Sequence, residues 1–351
     1  MTDKGKVLVA MSGGVDSSVA AALLLRGGYD VTGVFICMGT AGADGNRGCC
    51  SPQDAADARR VAQTLGIPLH VLNMGDRFEA IVEHFVAEYA RGRTPNPCID
   101  CNARIKFGQL LHQADALGVR YVASGHYARM ISHEGGAAIA RGLFRPKDQA
   151  YALAGLARES LPRILLPIGE TDGKEQVRAV ARELGLNVHD KPDSQDVCFA
   201  GDESYAAVLA QRCPEALRPG PIVDAAGKVL GQHEGYGRYT IGQRRGLRVA
   251  AGVPMYVTAI DAATATVTIG PVEQLQATHL RAGSVNWHAQ VPAVFEAIVQ
   301  IRYNHAGAPG TVRLTDDGFE VEFHQPVTAV TPGQAAVVFD GQRLLGGGWI
   351  N

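Results

Sequence analysis

Apolar positions in the first two hundred residues alternate between two rhythms. Val7-Leu8-Val9-Ala10 is a continuous apolar run of strand length; the polar stretch Ser12 to Ser17 follows, then Ser18-Val19-Ala20-Ala21-Ala22-Leu23-Leu24-Leu25. That order predicts a buried strand, a glycine turn and a helix. Asp30 to Ile36 predicts a second strand. Ser51-Pro52-Gln53-Asp54 places a capping serine, a proline at the first helical position and an acid in the first turn, so a helix opens there and Gly66 closes it. Pro68 to Leu72 predicts a third strand, about Phe78 to Arg91 a helix, Tyr121 to His126 a strand ending in a glycine turn, and Lys174 to Leu184 a helix with Gly185 behind it. Strands alternating with helices predict an α/β domain with a parallel sheet, whose ligands sit at the carboxyl ends of the strands. Past about Tyr205 the helical period fades, and short β-type runs appear at Val253 to Ala259, Thr266 to Ile269, Val294 to Ile301 and Ala335 to Phe339. The expected organisation is an N-terminal α/β domain (1–205), a small central domain (206–280) and a C-terminal β-rich, barrel-like domain (281–351).

At 351 residues the chain exceeds what a single core normally serves, which agrees with that division. A hydrophobic content of 46% with 19% charged residues describes an ordinary globular protein. The net charge of −2 gives no overall footprint for nucleic acid, so an RNA contact must rest on local basic groups. Two such groups exist, Arg91, Arg93, Arg104 and Lys106, and Arg238, Arg244, Arg245 and Arg248. No apolar run reaches the length of a membrane span, and no signal-peptide core follows Met1 to Lys6, so a cytoplasmic location without a membrane partner is expected.

The segment Ser12-Gly13-Gly14-Val15-Asp16-Ser17 carries the first chemistry. Adjacent glycines let backbone N–H groups approach a polyphosphate, and Ser12, Ser17 and Ser18 add hydroxyl donors beside a positive helix N-terminus. Neither the Walker Gly-Lys-Ser/Thr ending nor the Rossmann Gly-x-Gly-x-x-Gly spacing is present. The segment resembles the PP-loop of ATP pyrophosphatases, which cleave ATP to AMP and pyrophosphate. The glycine-rich stretch Gly39 to Asn46 is consistent with a lid or with an idle insertion.

The odd count of seven cysteines, Cys37, Cys49, Cys50, Cys98, Cys101, Cys198 and Cys213, argues against a structural disulfide framework. Cys98 and Cys101 stand at C-x-x-C spacing in Thr94-Pro95-Asn96-Pro97-Cys98-Ile99-Asp100-Cys101-Asn102, a segment that reads as a proline-stiffened loop flanked by arginines. Such positive charge would favour the nucleophilic thiolate. Cys198 lies on a second loop, from Asp190 to Gly201, and could converge with them. A zinc site would normally show a second paired motif, and none is present.

SGGVDSS, TPNPCIDCNARIKFG, ASGHYAR, KDQAYAL, DSQDVCF and YTIGQRRGL occur in that order across most of the chain. Together they resemble the tRNA-specific 2-thiouridylases, the MnmA family, whose N-terminal domain is of the PP-loop, adenine nucleotide alpha hydrolase-like kind. The resemblance implies that ATP adenylates the C2 oxygen of a wobble uridine and that sulfur then displaces AMP. By the family's pattern Ala10, Met11, Ser12, Gly13, Gly14, Val15, Asp16, Ser17, Ile36 and Gly125 match ATP-contacting positions, with Mg²⁺ accompanying the phosphates. Cys101 matches the nucleophile and Cys198 the persulfide carrier. Asn96, Pro97 and Cys98 match the segment that meets the target base. His126, Lys147, Asp148, Gln149, Arg302, Tyr303 and Gln334 match positions that contact tRNA. Expected partners are the tRNA anticodon stem-loop and a sulfur donor such as a cysteine desulfurase or a relay protein. Many family members carry aspartate where this chain has Cys98. The resulting Cys98, Cys101 and Cys198 triad could hold three irons of a [4Fe-4S] cluster in place of the persulfide relay, and both routes stay open. Two further classes fit a PP-loop, an ATP-dependent amidating synthetase, which needs no paired reactive cysteines, and a non-catalytic RNA-binding module.

Overall fold

β1 (Lys6–Ala10) is apolar throughout its middle because it is buried on both faces, with Val7, Leu8 and Val9 shielded from solvent, as the inner strand of a helix-covered parallel sheet must be. The computed structural model describes residues 4–39, 51–192, 198–199 and 205–351, which form two compact units. The first holds residues 1–80, 98–202 and 342–344, the second 81–97, 203–341 and 345–351. Cys49, Cys50 and the stretch 40–46 lie outside the described residues.

In the first unit β1 leads through the glycine turn into α1 (Val15–Arg26), then β2 (Asp30–Cys37), α2 (Pro52–Leu65), β3 (Leu69–Asn73) and the start of α3 (Gly75–Ala90). α2 opens as its sequence dictates. Ser51 Oγ accepts from Asp54 N at 3.1 Å, Pro52 fills the first position, and Gly66 closes the helix in the left-handed region at φ 68°. α4 (Pro97–Asp100), a π-helical turn (Cys101–Phe107) and α5 (Gly108–Ala116) follow, then β4 (Tyr121–Ala123), the hairpin β5 (Ala128–His133) and β6 (Gly136–Arg141), β7 (Ile164–Leu165) and α6 (Lys174–Glu183). The central sheet has the order β3-β2-β1-β4-β7, with every pairing parallel.

The second unit contains α7 (Tyr205–Arg212) and two β structures. β8 (Gly220–Val223), β9 (Val229–His233), β10 (Tyr256–Asp261) and β11 (Thr266–Gly270) form a sheet ordered β10-β11-β8-β9. β12 (Gln276–Trp287), β13 (Val294–Gln300), β14 (Ala308–Leu314), β15 (Gly318–Thr328), β16 (Ala335–Asp340) and β17 (Arg343–Ile350) run β12-β15-β14-β13-β16-β17, and β12 also pairs with β17, so the antiparallel sheet closes into a six-stranded barrel. Its interior is filled by Val299, Ile301, Val312, Phe319, Val321 and Val338. At the seam Gly346 has φ 152°, and a Cβ there would lie 2.4 Å from Asn286 O.

Candidate active site

The polar loop at the carboxyl end of β1 is built from inside outward. Met11 N donates to Val34 O at 2.8 Å, which keeps the chain in sheet register up to the turn. Gly13 then adopts φ +74°, and a Cβ on it would sit 2.2 Å from Asp54 O at the start of α2, so only glycine fits. Gly14 caps α1 without help from a side chain, while Ser17 Oγ and Ser18 Oγ both donate to Gly14 O, at 3.2 and 2.8 Å. Ser12 N donates to Ser17 Oγ at 3.1 Å, folding the loop over the helix N-terminus, where an anion is favoured. Gly125, just past β4, packs on this turn so closely that a Cβ would meet Ser17 N at 2.5 Å. Ile36 is buried near the end of β2, opposite Leu72 in register. The predicted nucleotide positions therefore gather at the carboxyl edge of the sheet.

Five side chains from outside the motif join this cradle: Tyr127, Lys174, Lys191, Asp54 and Asp57. Asp16 accepts from Tyr127 Oη at 2.8 Å and from Lys174 Nζ at 2.8 and 2.9 Å. Lys191 Nζ reaches Gly13 O at 3.0 Å, Asp54 Oδ1 at 2.6 Å and Asp57 Oδ2 at 2.7 Å. Burial works against the charge on both Asp57 and Lys191, but their bonds prevail: Lys191 holds the Asp57 carboxyl below its ordinary range, and Asp54 together with Asp57 holds the Lys191 ammonium above its own. Isolated lysines carry no local sequence signal, whereas Asp54 was visible only as part of a helix cap.

The cysteine pair does not lie on a loop. Pro97 starts α4, where its missing N–H costs nothing, so Cys98 sits in a helical turn and Cys101 begins the π turn. Cys101 is buried with its Sγ 4.0 Å from Met38 Sδ, while Cys98 is open to solvent on one side. The flanking arginines do not activate these thiols. In the second unit Arg91 and Arg93 both pair with Glu88, at 2.9 and 3.0 Å, and in the first Arg104 pairs with Asp100 at 3.5 Å. Burial pushes the Cys101 thiol up to about 12 and raises Cys98 as well, against the partial opposition of Lys106. The expected resting thiolate is thus replaced by a neutral thiol. Cys198 lies near enough to raise both cysteines further, and its neighbour Phe199 is anchored edge-on to Phe78 at 5.8 Å. His126 bonds Ser124 Oγ at 2.7 Å through Nδ1 and tilts over Phe107; burial, assisted by the charge of Lys106, lowers it to about 3, so it stays neutral near pH 7. Among the described residues no three Cys, His, Asp or Glu side chains are gathered closely enough to hold a metal ion.

Several positions matched to tRNA contacts make bonds inside their own unit. In the first, Asp148 is enclosed by Arg141 at 2.9 Å and accepts from Gly142 N and Ala150 N, and Gln149 Oε1 accepts from Tyr127 N at 2.9 Å. Lys147 ends a short 3-10 turn. In the second, Arg302 Nη2 donates to Ala329 O and Thr331 Oγ1, Gln334 Nε2 donates to Thr94 O at 2.8 Å, and Tyr303 is exposed. Asn96 is half-buried and precedes the proline that opens α4.

A glycine anion cradle at the carboxyl edge of a five-stranded parallel sheet, with cysteines in the same unit, defines an α/β nucleotide-binding domain of the PP-loop class. Residues 5–202 match the family described as tRNA methyl transferase HUP domain, residues 206–271 the tRNA methyl transferase PRC-barrel domain, and residues 277–350 the aminomethyltransferase beta-barrel domain. The chain is 49% identical to the tRNA-specific 2-thiouridylase MnmA of Carboxydothermus hydrogenoformans, over 98% of this chain and 97% of that protein. It is 47% identical to the Syntrophotalea carbinolica protein of the same name and 45% identical to that of Magnetococcus marinus, each over 100% of both chains. The chain belongs to the tRNA-specific 2-thiouridylase family.

Proposed function

We propose that this enzyme is a tRNA-uridine 2-sulfurtransferase, which uses ATP to exchange the C2 oxygen of a wobble uridine for sulfur. The observation that carries this is the presence, in one unit, of the Ser12 to Ser17 cradle and a buried cysteine, Cys101, with its Sγ 4.0 Å from Met38 Sδ. A uracil C2 carbonyl is a poor electrophile with oxide as leaving group. Attack of O2 on the α-phosphorus of ATP releases pyrophosphate and makes AMP the leaving group instead. The Gly13-Gly14 backbone and the α1 N-terminus suit the departing pyrophosphate, as preorganised donors aimed at developing charge. Lys174 adds a cation there, and the Asp16 carboxylate is the hard oxygen donor that a Mg²⁺ accompanying ATP would take.

Sulfur reaches C2 as the terminal sulfur of a Cys198 persulfide. The Cys101 thiol gives its proton to water and attacks the Cys198 sulfur, the S–S bond to the terminal sulfur breaks, that sulfur bonds C2 as hydrosulfide, and AMP leaves with the electrons of the C2–O bond. A Cys101–Cys198 disulfide remains for a dithiol reductant to reset. A neutral, buried Cys101 suits this order, since it does not spend itself before the base arrives. Among the described residues Cys98, Cys101 and Cys198 are not gathered as a metal-ligand set, so the persulfide route is the one proposed here, with the [4Fe-4S] route as the alternative that a sulfide donor tests.

The test supplies purified protein with ATP, unmodified tRNA and a persulfide donor, and reads nucleosides by mass spectrometry. Wild type is expected to give 2-thiouridine with matching AMP and pyrophosphate. Cys198→Ala should release pyrophosphate yet leave uridine unthiolated. Absence of 2-thiouridine from wild type with persulfide or sulfide donors overturns the proposal.

A further inference from the structure

Lys191 belongs to no motif of the cradle, yet it bonds both to the loop backbone and to two carboxylates of α2. Its backbone is held as well, because Arg178 Nη2 donates to the main-chain Lys191 O at 2.9 Å and Arg178 Nη1 to His189 O at 2.7 Å. Asp57 is steadied by Gln53 Nε2 and Asn187 Nδ2, both at 3.0 Å, and Asp54 by Ser51 Oγ at 2.8 Å. A rigid ammonium is therefore aimed at Gly13 O.

We propose that Lys191 is a positioning residue for the polyphosphate, fixing the Gly13–Gly14 peptide so that its N–H faces the anion. The inference rests on the ATP-binding reading of the loop. In a trans peptide the C=O and the N–H point in opposite directions, and the described chain has no cis peptide. Holding Gly13 O toward α2 therefore turns Gly14 N–H to the opposite side. Gly13 at φ +74° has the backbone freedom to let this peptide rotate, so the loop alone does not specify the orientation. Lys191 has a second effect: its single positive charge offsets one of the two negative charges that Asp54 and Asp57 would otherwise present beneath a site for a polyanion.

The experiment is calorimetric binding of Mg·ATP, and separately of inorganic pyrophosphate, to the full chain. Lys191→Met is expected to weaken both about 10- to 100-fold, the value of one charged hydrogen bond. Lys191→Arg should fall between Lys191→Met and wild type. In the Asp57→Asn background, where less charge is left unpaired, Lys191→Met should still weaken binding about tenfold. That pair carries the comparison should Lys191→Met alone not fold. A merely structural lysine would lower the thermal midpoint and leave the affinity of the folded protein unchanged. Equal affinities with and without Lys191, in either background, overturn the proposal, whereas a wild type that binds neither ligand overturns the ATP reading instead.

Discussion

Replacing Gly125 by alanine adds one methyl group at the point where the end of β4 meets the start of α1. That Cβ would lie 2.5 Å from Ser17 N, 2.6 Å from Asp16 C and 2.8 Å from Ser17 Cα, all backbone atoms that cannot swing aside. Ordinary contact requires about 3.4 Å or more, so α1 must retreat by roughly 0.9 Å or the Gly125 turn must deform. Overpacking of this kind costs about 1–3 kcal/mol, which for a unit of this size lowers the thermal midpoint by roughly 2–12 °C. The same retreat carries Asp16 away from Tyr127 and Lys174 and spoils the cradle, and a misplacement near 1 Å costs on the order of a hundredfold in a catalytic site. Gly125→Ala should therefore lose ATP-dependent pyrophosphate release far beyond its loss of stability. Gly135→Ala, with open space around its Cβ, serves as the control and should be nearly neutral. Calorimetric melting and pyrophosphate release on the two variants decide the matter. If Gly125→Ala melts within a degree of wild type and releases pyrophosphate at the wild-type rate, the packing argument is wrong.

Cys101, with its thiol at about 12 instead of the usual 9.0, should have roughly a thousandfold less thiolate at pH 8. The greater nucleophilicity of a more basic thiolate recovers about 20–30-fold, leaving iodoacetamide alkylation some 30–50-fold slower than for an ordinary thiol, and peptide mass spectrometry should show no plateau below pH 9. His126 is lowered by burial to about 3 from 6.5, so protonation favours the unfolded chain; stability present above pH 6.5 is lost as pH falls toward 3. His126→Gln should flatten urea-unfolding stability between pH 7 and pH 4, and a slope equal to wild type would refute the assignment. Gly346→Ala, at φ 152° and 2.4 Å from Asn286 O, should unseat the β12–β17 seam and cost several kcal/mol, seen as loss of the second unit's unfolding transition at its normal temperature.

Local rules made the cradle and the first helices readable. The Gly13-Gly14 turn, the Ser51 cap and the Gly66 stop are each short-range, and each residue type has a single mechanical use there. The setting of the cysteines was misread because Pro95 and Pro97 suggest a loop, although a proline at the first helical position starts a helix equally well. Flanking charge suggested thiolates, but charge along the chain says nothing about the closer acids Glu88 and Asp100 or about the burial of Cys101. Lys174 and Lys191 act at distances of 158 and 178 residues along the chain, so no pattern could have exposed them. Barrel closure was equally hidden: Ala282 opposite Ile350 is a pairing that short β-type runs do not encode.

The π turn at Cys101–Phe107 makes the proposed active centre sensitive to counting as well as to composition. Removing a single residue from it, even an exposed one such as Arg104, would let the segment close into an ordinary α-helix whose ends keep nearly their former phase but whose widened turn is gone. Every side chain would survive the deletion of Arg104 apart from Arg104 itself, yet the wide turn that begins at Cys101 would be lost. At this place chain length is itself a functional property, and a substitution scan that preserves length would never detect it.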